Sequence, residues 1–268
     1  MSDRVIDIHT HAWPDSVAVK AIPALVAAGD GLAPRYDGTA RGLVAEMDRS
    51  GVDVSVIQPV ATKESQVVAI NDWAAAQSSK RIVPFGAMHP DFADPPAEIA
   101  RMASLGLRGF KMHPEYQGFA PDEDRMSAIY AAAVAHRMIV FFHAGADVVR
   151  PTVHGTPESF ARVIERWPEL TAVLAHLGGF REWQGVAEHI AGRDVWLDTA
   201  YTLGYLPDDE WVALVRAHGI DRVLFGSDGP WADAGADVAH LRRLPLSAEE
   251  AAGILGLNAE SLLCAVPP

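Results

Sequence analysis

Residues 4–11 read RVIDIHTH, a short β-branched run that ends in two histidines. Val5, Ile6 and Ile8 carry the strand signal, because branched side chains suit a pleated, buried surface. In an extended segment His9 and His11 project to one face, about 7 Å apart. Two imidazoles so placed can share one cation. The pattern of an apolar run closing on a polar residue then recurs along the chain. VDVSVIQP (52–59), RIVPFGAM (81–88), LRGFKMH (107–113), MIVFFH (138–143), TAVLAH (171–176), DVWLD (194–198) and DRVLFGSD (221–228) all read as strands. Between most of them lie amphipathic stretches such as EDRMSAIYAAAVAHR (123–137) and TPESFARVIERWP (156–168), the second opening on a Thr-Pro-Glu helix start. Eight β/α alternations without a hairpin signal predict an α/β fold with a parallel sheet. At this length that means a single distorted (β/α)8 TIM barrel, with a doubly wound open sheet as the alternative.

The 268 residues are 49% hydrophobic, enough for one large core. No low-complexity segment, charge block or Gly/Ser linker divides them, so residues 1–268 read as one domain. Lys and Arg number 22 against 35 Asp and Glu, a net charge of −13, which leaves no basic footprint for nucleic acid or an anionic membrane. No apolar run approaches the roughly 20 residues a bilayer requires, and the start lacks a signal-peptide pattern. The expectation is a soluble, cytoplasmic protein that acts on a small molecule. Cys264, the one cysteine, is expected to be buried packing in an apolar C-terminal helix. LSAEEAAGILGLNAESLLCAV (246–266) reads as two helices covering the barrel, with a capping box at SAEE and Asn258 capping the second. Residues 13–40, rich in Pro and Gly, form a long first connection and a candidate lid.

Ligands sit at the carboxyl ends of barrel strands, and that is where His9, His11, His113, His143, His176 and Asp228 fall. Zn²⁺ and similar borderline metals favour such mixed N/O sets. Lys111 shares the parity of His113, so both point toward the same mouth. Lys111 is open to three roles: a carboxylated lysine bridging two metals, a cation for a substrate carboxylate, or a structural residue. Tyr116 and Gln117 follow in the next loop and can orient a substrate, as can His154. Trp231 is a candidate pocket wall. Asp7 is a candidate support for a ligand imidazole.

The ordered set DIHTH, GFKMHPEYQGF, FFHAG, LAHLGG and FGSDGPW resembles the amidohydrolase superfamily. More specifically, it is similar to the amidohydrolase-2 branch, which includes aminocarboxymuconate-semialdehyde decarboxylase. The resemblance spans essentially the whole chain. It implies one divalent metal, zinc first, with Mn²⁺ or Co²⁺ as alternatives, held by His9, His11, His143 and Asp228. It also implies that His176 and Asp228 are catalytic, with His176 either a ligand or an acid/base beside the metal. Lys111, His113, Tyr116, His154 and Trp231 remain the substrate-binding candidates. Related enzymes are often dimers, so a homodimer is an expectation on resemblance alone. The leading reading is a metal-dependent hydrolase of an ester, lactone or amide using metal-activated water. The alternative is a metal-dependent, non-oxidative decarboxylase of a small aromatic or unsaturated acid at the same site.

Overall fold

The computed structural model describes residues 4–29, 33–150 and 152–265. Its strands are β1 (Ile6–Thr10), β2 (Val54–Ile57), β3 (Ile82–Pro84), β4 (Gly86–Ala87), β5 (Gly109–Met112), β6 (Ile139–Phe142), β7 (Ala172–Leu174), β8 (Trp196–Asp198) and β9 (Val223–Leu224). Every pairing between them is parallel. They form two arcs, β1-β2-β3 and β4-β5-β6-β7-β8-β9. The break between β3 and β4 falls at Phe85, inside the run expected as one strand. Its N–H still donates to Ile57 O at 2.9–3.0 Å spacing typical of a sheet, here 3.0 Å.

The other seam joins the ends of the chain's strand series. Ile8 N–H donates to Phe225 O at 2.9 Å, Asp228 N–H to His9 O at 2.8 Å, and Thr10 bridges Gly229 in parallel. The architecture is the TIM barrel the alternation predicts. Its strands are shorter than the apolar runs that announce them, so His113, His143, His176 and Asp228, which end four of those runs, lie just past the paired strands.

A buried cluster unites Ile6, Val54, Phe85, Ile139, Val173 and Leu224 with Leu262 and Leu263 of the C-terminal helix. That helix, Asn258–Ala265, covers the amino ends of the strands, opposite the histidines. The Ser247/Glu250 capping box is present at the helix Ala248–Ala252. Asn258, however, caps nothing. A π-helical turn, Gly253–Leu257, joins the two helices without a break, and Asn258 Nδ2 donates to Ile220 O and Val223 O, both at 2.8 Å. Cys264 is exposed, contrary to the burial expected of it. The helix Pro157–Arg166 starts as read, with Thr156 Oγ1 accepting from Ser159 N and Pro157 in the first turn. The 13–40 connection is not an open loop: half of it is the helix Asp15–Ala28, and residues 30–32 lie outside the described residues. Among the described residues, no helix is long and apolar enough to cross a membrane.

Candidate active site

The strand ends deliver their polar residues to one cavity. His9 lies within β1, His113 and His143 directly follow β5 and β6, His176 stands two residues beyond β7, and Asp228 four beyond β9. His9, His11, Lys111, His113, Tyr116, His143, His176, Asp228 and Trp231 all line the cavity. Trp13 and Leu25, from the first connection, also wall it, as do Phe180 and Tyr201. His154 is not among the lining residues. Its backbone N–H donates to Glu115 Oε1 at 2.9 Å, which places it behind the wall.

Hydrogen-bond accounting shows what this ring of side chains lacks. His9 Nδ1–H donates to Asp198 Oδ2 at 2.8 Å, and His11 Nδ1–H to Gln58 O at 2.7 Å, so both rings turn an Nε2 lone pair inward. Each of those nitrogens then faces another acceptor: Asp228 Oδ1 is 2.9 Å from His11 Nε2 and 3.5 Å from His9 Nε2. His176 Nδ1–H donates to Ala200 O at 2.9 Å and His143 Nε2–H to Ala146 O at 3.1 Å. Their remaining nitrogens therefore meet lone pair to lone pair, at 3.1 Å. Lys111 Nζ, 3.2 Å from His9 Nε2, is the one donor bonded within this set among the described residues.

Convergent acceptors without protons are what a cation requires. Burial adds to this by holding the imidazoles neutral: it pushes His9 and His143 well below the ordinary histidine range and His176 down to about 4. The trio His9, His11 and Asp228 brings its ligand atoms within 4.8 Å of one another. The residues present fit a divalent cation.

Several supports escaped the sequence reading. Asp198, the last residue of DVWLD, orients His9 and also accepts the N–H groups of His176 (2.8 Å) and Ala200 (2.9 Å). Burial pushes its carboxyl up to about 7, against the pull of those N–H groups and of Lys111. Asp7 does not take the role expected of it. Its carboxylate accepts from His9 N, Ser227 N and Ser227 Oγ, and so braces the β1–β9 seam rather than an imidazole. Gln117 is also structural: its side chain spans His113 N, Ala61 O and Met88 O. Glu115, unremarked between two candidates, is buried beneath the pocket. Backbone strain concentrates here too. His176, Tyr201 and Asp228 all line the cavity with φ of 60°, 55° and 67°, a left-handed region that side chains with a Cβ avoid unless held there.

Residues 6–263 match the family model Amidohydro_2, described as amidohydrolase. The chain belongs to the amidohydrolase family. This amidohydrolase is similar to solved structures over nearly its full length. One is the 5-carboxyvanillate decarboxylase LigW from Sphingomonas paucimobilis, at 18% identity and a TM-score of 0.72, covering 98% of this chain and 99% of that one. A second is an uncharacterized TIM-barrel protein from Bordetella bronchiseptica, at 19% identity and a TM-score of 0.76, with coverage of 98% and 99%. A third is a 5-carboxyvanillate decarboxylase from Novosphingobium aromaticivorans, solved with bound manganese and 3-methoxy-4-hydroxy-5-nitrobenzoic acid; identity is 16%, TM-score 0.72 and coverage 97% of both chains. No curated protein matches the amidohydrolase sequence.

Proposed function

We propose that this amidohydrolase is a metal-dependent, non-oxidative decarboxylase of a small aromatic carboxylic acid. The observation that carries the reading is the cavity wall. Trp13, Tyr116, Phe180, Tyr201 and Trp231 surround the ring of inward-facing histidines and Asp228, with Lys111 at its floor. Aromatic walls suit a planar ring, and a cation beside an ammonium suits its carboxylate. The decarboxylases among the structural neighbours support this alternative over the hydrolase. The proposed unit is the whole chain, 1–268, because the site draws on residues from His9 to Asp228.

The residues proposed to hold the metal are His9, His11, Asp228 and His143, with His176 beside them. Manganese is the preferred ion, given the third neighbour, with zinc and cobalt as alternatives. When bound, the ion withdraws electron density from an oxygen of the substrate acid. Lys111 holds the carboxylate while the aromatic walls fix the ring plane. Asp228 passes a proton taken up from solvent to the ring carbon, the electron pair of the carbon–carbon bond to the carboxylate returns to the ring as CO₂ leaves, and His176 positions Asp228 for the transfer. His154, outside the cavity wall, is assigned no substrate contact.

The test is CO₂ release from a panel of hydroxybenzoic acids by the Mn²⁺-loaded protein, run beside a panel of esters, lactones and amides. Turnover of the acids alone supports the reading, and turnover of the second panel alone overturns it. Asp228→Asn is expected to lower kcat by roughly 10²–10⁴-fold, the usual worth of a positioned acid/base, with the far-UV spectrum unchanged.

A further inference from the structure

The loop after β6 carries a carboxylate to which the proposed reaction gives no role. Asp147 lines the cavity, and its side chain is 10% exposed. One of its oxygens is committed: Oδ1 accepts the N–H groups of Val149 and Arg150, at 2.7 and 2.9 Å. The other, Oδ2, lies 3.8 Å from His113 Nε2, a gap too wide for a hydrogen bond. Among the described residues, no donor comes within hydrogen-bond distance of Oδ2. Burial pushes this carboxyl upward, and the two N–H groups draw it back toward the ionised form.

The surrounding contacts hold that oxygen in place. Gly145 N–H donates to Gly155 O at 2.8 Å and Ala146 N–H to Phe180 O at 2.9 Å, which fixes the start of the loop. Glu115 Oε1 fixes its far end, accepting from the N–H groups of His154 and Gly155 at 2.9 and 3.0 Å. Between these ends the Arg150 guanidinium lies over the Tyr116 ring, 5.0 Å from its centroid. Tyr116 in turn meets the His113 ring at 4.5 Å, with planes 89° apart. Val148 and Val149 line the cavity beside Asp147. A fixed acceptor next to apolar side chains is the means by which a pocket reads one polar group of its ligand.

We propose that Asp147 selects the substituent on the substrate ring: Oδ2 accepts a hydrogen bond from a hydroxyl or amino group and turns away a methoxy group or a second carboxylate at that position. This selection rests on an aromatic acid occupying the site, as proposed above. A ring hydroxyl or amino group brings the proton that Oδ2 lacks. An ether oxygen brings lone pairs alone and leaves two acceptors face to face, away from water. A second carboxylate adds like charge to the same mismatch. Lys111 and the metal residues take the reacting carboxylate, so Asp147 discriminates without touching the bond that breaks.

The test compares benzoic acids bearing a hydroxyl, amino, methoxy or second carboxyl group, at the ortho, meta and para positions, with Mn²⁺-loaded wild-type protein and Asp147→Asn. Dissociation constants are read by stopped-flow tryptophan fluorescence, since Trp13 and Trp231 wall the cavity. At one ring position the wild-type protein is expected to favour the hydroxy and amino acids over the methoxy acid by roughly 10–100-fold, the worth of a hydrogen bond to an ionised group. Asp147→Asn keeps an acceptor for the Val149 and Arg150 N–H groups and turns an NH₂ toward the cavity, so the preference is expected to reverse toward the methoxy acid and the diacid. Equal affinity for the hydroxy and methoxy acids in wild type overturns the proposal. So does a preference that Asp147→Asn leaves intact, or a variant that weakens all four acids alike. CO₂ release, followed in the same samples, separates the two readings. A preference that depends on Asp147 without CO₂ keeps the selection and removes the decarboxylase, and CO₂ with a preference independent of Asp147 does the reverse. Failure of every acid to bind overturns both.

Discussion

The imidazole of His9 is held from behind by a carboxylate that accepts three N–H groups at once, and so one buried residue sets the direction of the lone pair. Removing that charge from Asp198 is therefore expected to act on the metal before it acts on the fold. Asp198→Asn should weaken Mn²⁺ binding by about 10–100-fold, the usual cost of losing such support, measured by competition with a chelator. An unchanged affinity would contradict the tautomer assigned to His9. A second residue makes a pH-dependent statement. Burial raises the Asp237 carboxyl from 3.8 to about 7, helped by the nearby charge of Asp7. The folded state then binds this proton more tightly than the unfolded chain, so stability falls as pH climbs from about 4 to 7 and stays lower above. Asp237→Asn has no proton to lose. It is expected to raise Tm by a few degrees at pH 8, where ~1 kcal/mol is worth about 2–4 °C, and to be neutral near pH 4. At this scale the sequence was informative wherever a polar residue directly ends an apolar run, as at His113 and His143. Asp198 ends such a run too, but a lone strand-end Asp carries no signal until His9, 189 positions away, is seen beside it. Glu115 was hidden for a different reason: a residue after His-Pro reads as turn, and only the one-turn helix buries it.

Whole elements were legible by period but not by extent. The eighth run, DRVLFGSD, contains a strand of only Val223–Leu224, and the rest turns through left-handed Asp228 to aim its carboxylate inward. Periodicity reports which residues are apolar, whereas the ladder ends where the backbone must leave the sheet to present a ligand. The C-terminal helix shows the same limit. Its Asn258 sits where a cap reads naturally, yet its amide is used between elements, tying the helix to the start of β9 through two carbonyls. Asn258→Ala leaves both acceptors short of a donor and is expected to cost about 1–3 kcal/mol, read as a lower urea midpoint with an unchanged slope. A value near zero would assign those carbonyls to water. Gly145 is constrained on the opposite end of the barrel. With φ of +81° and a Cβ position 2.2 Å from Phe180 N, it lets the loop after β6 lie against the one after β7.

Across the whole molecule, the barrel seam and the cation site are built from the same short segments. The amides of Ile8, His11 and Asp228 cross between the first and last strand regions, while the side chains of His9, His11 and Asp228 converge on the position proposed for the ion. Stripping the protein of metal leaves acceptor facing acceptor along that seam. Chelation is expected to lower Tm and to speed hydrogen exchange at those three amides selectively, with the β5–β6 amides unchanged. Ion at 100 times its dissociation constant contributes about 2.7 kcal/mol, so the Tm change is measurable. Uniform exchange across the barrel would separate the seam from the site.

The seam also sets an order in time. His11 meets Asp228 across 217 positions, and Asp198 reaches His9 across 189. Contacts that distant form late, because the chain between them must be ordered before they are rewarded. The histidines made earliest on the ribosome thus wait longest for their partners. Ion capture at full strength belongs to the last stage of folding, when the final strand closes on the first.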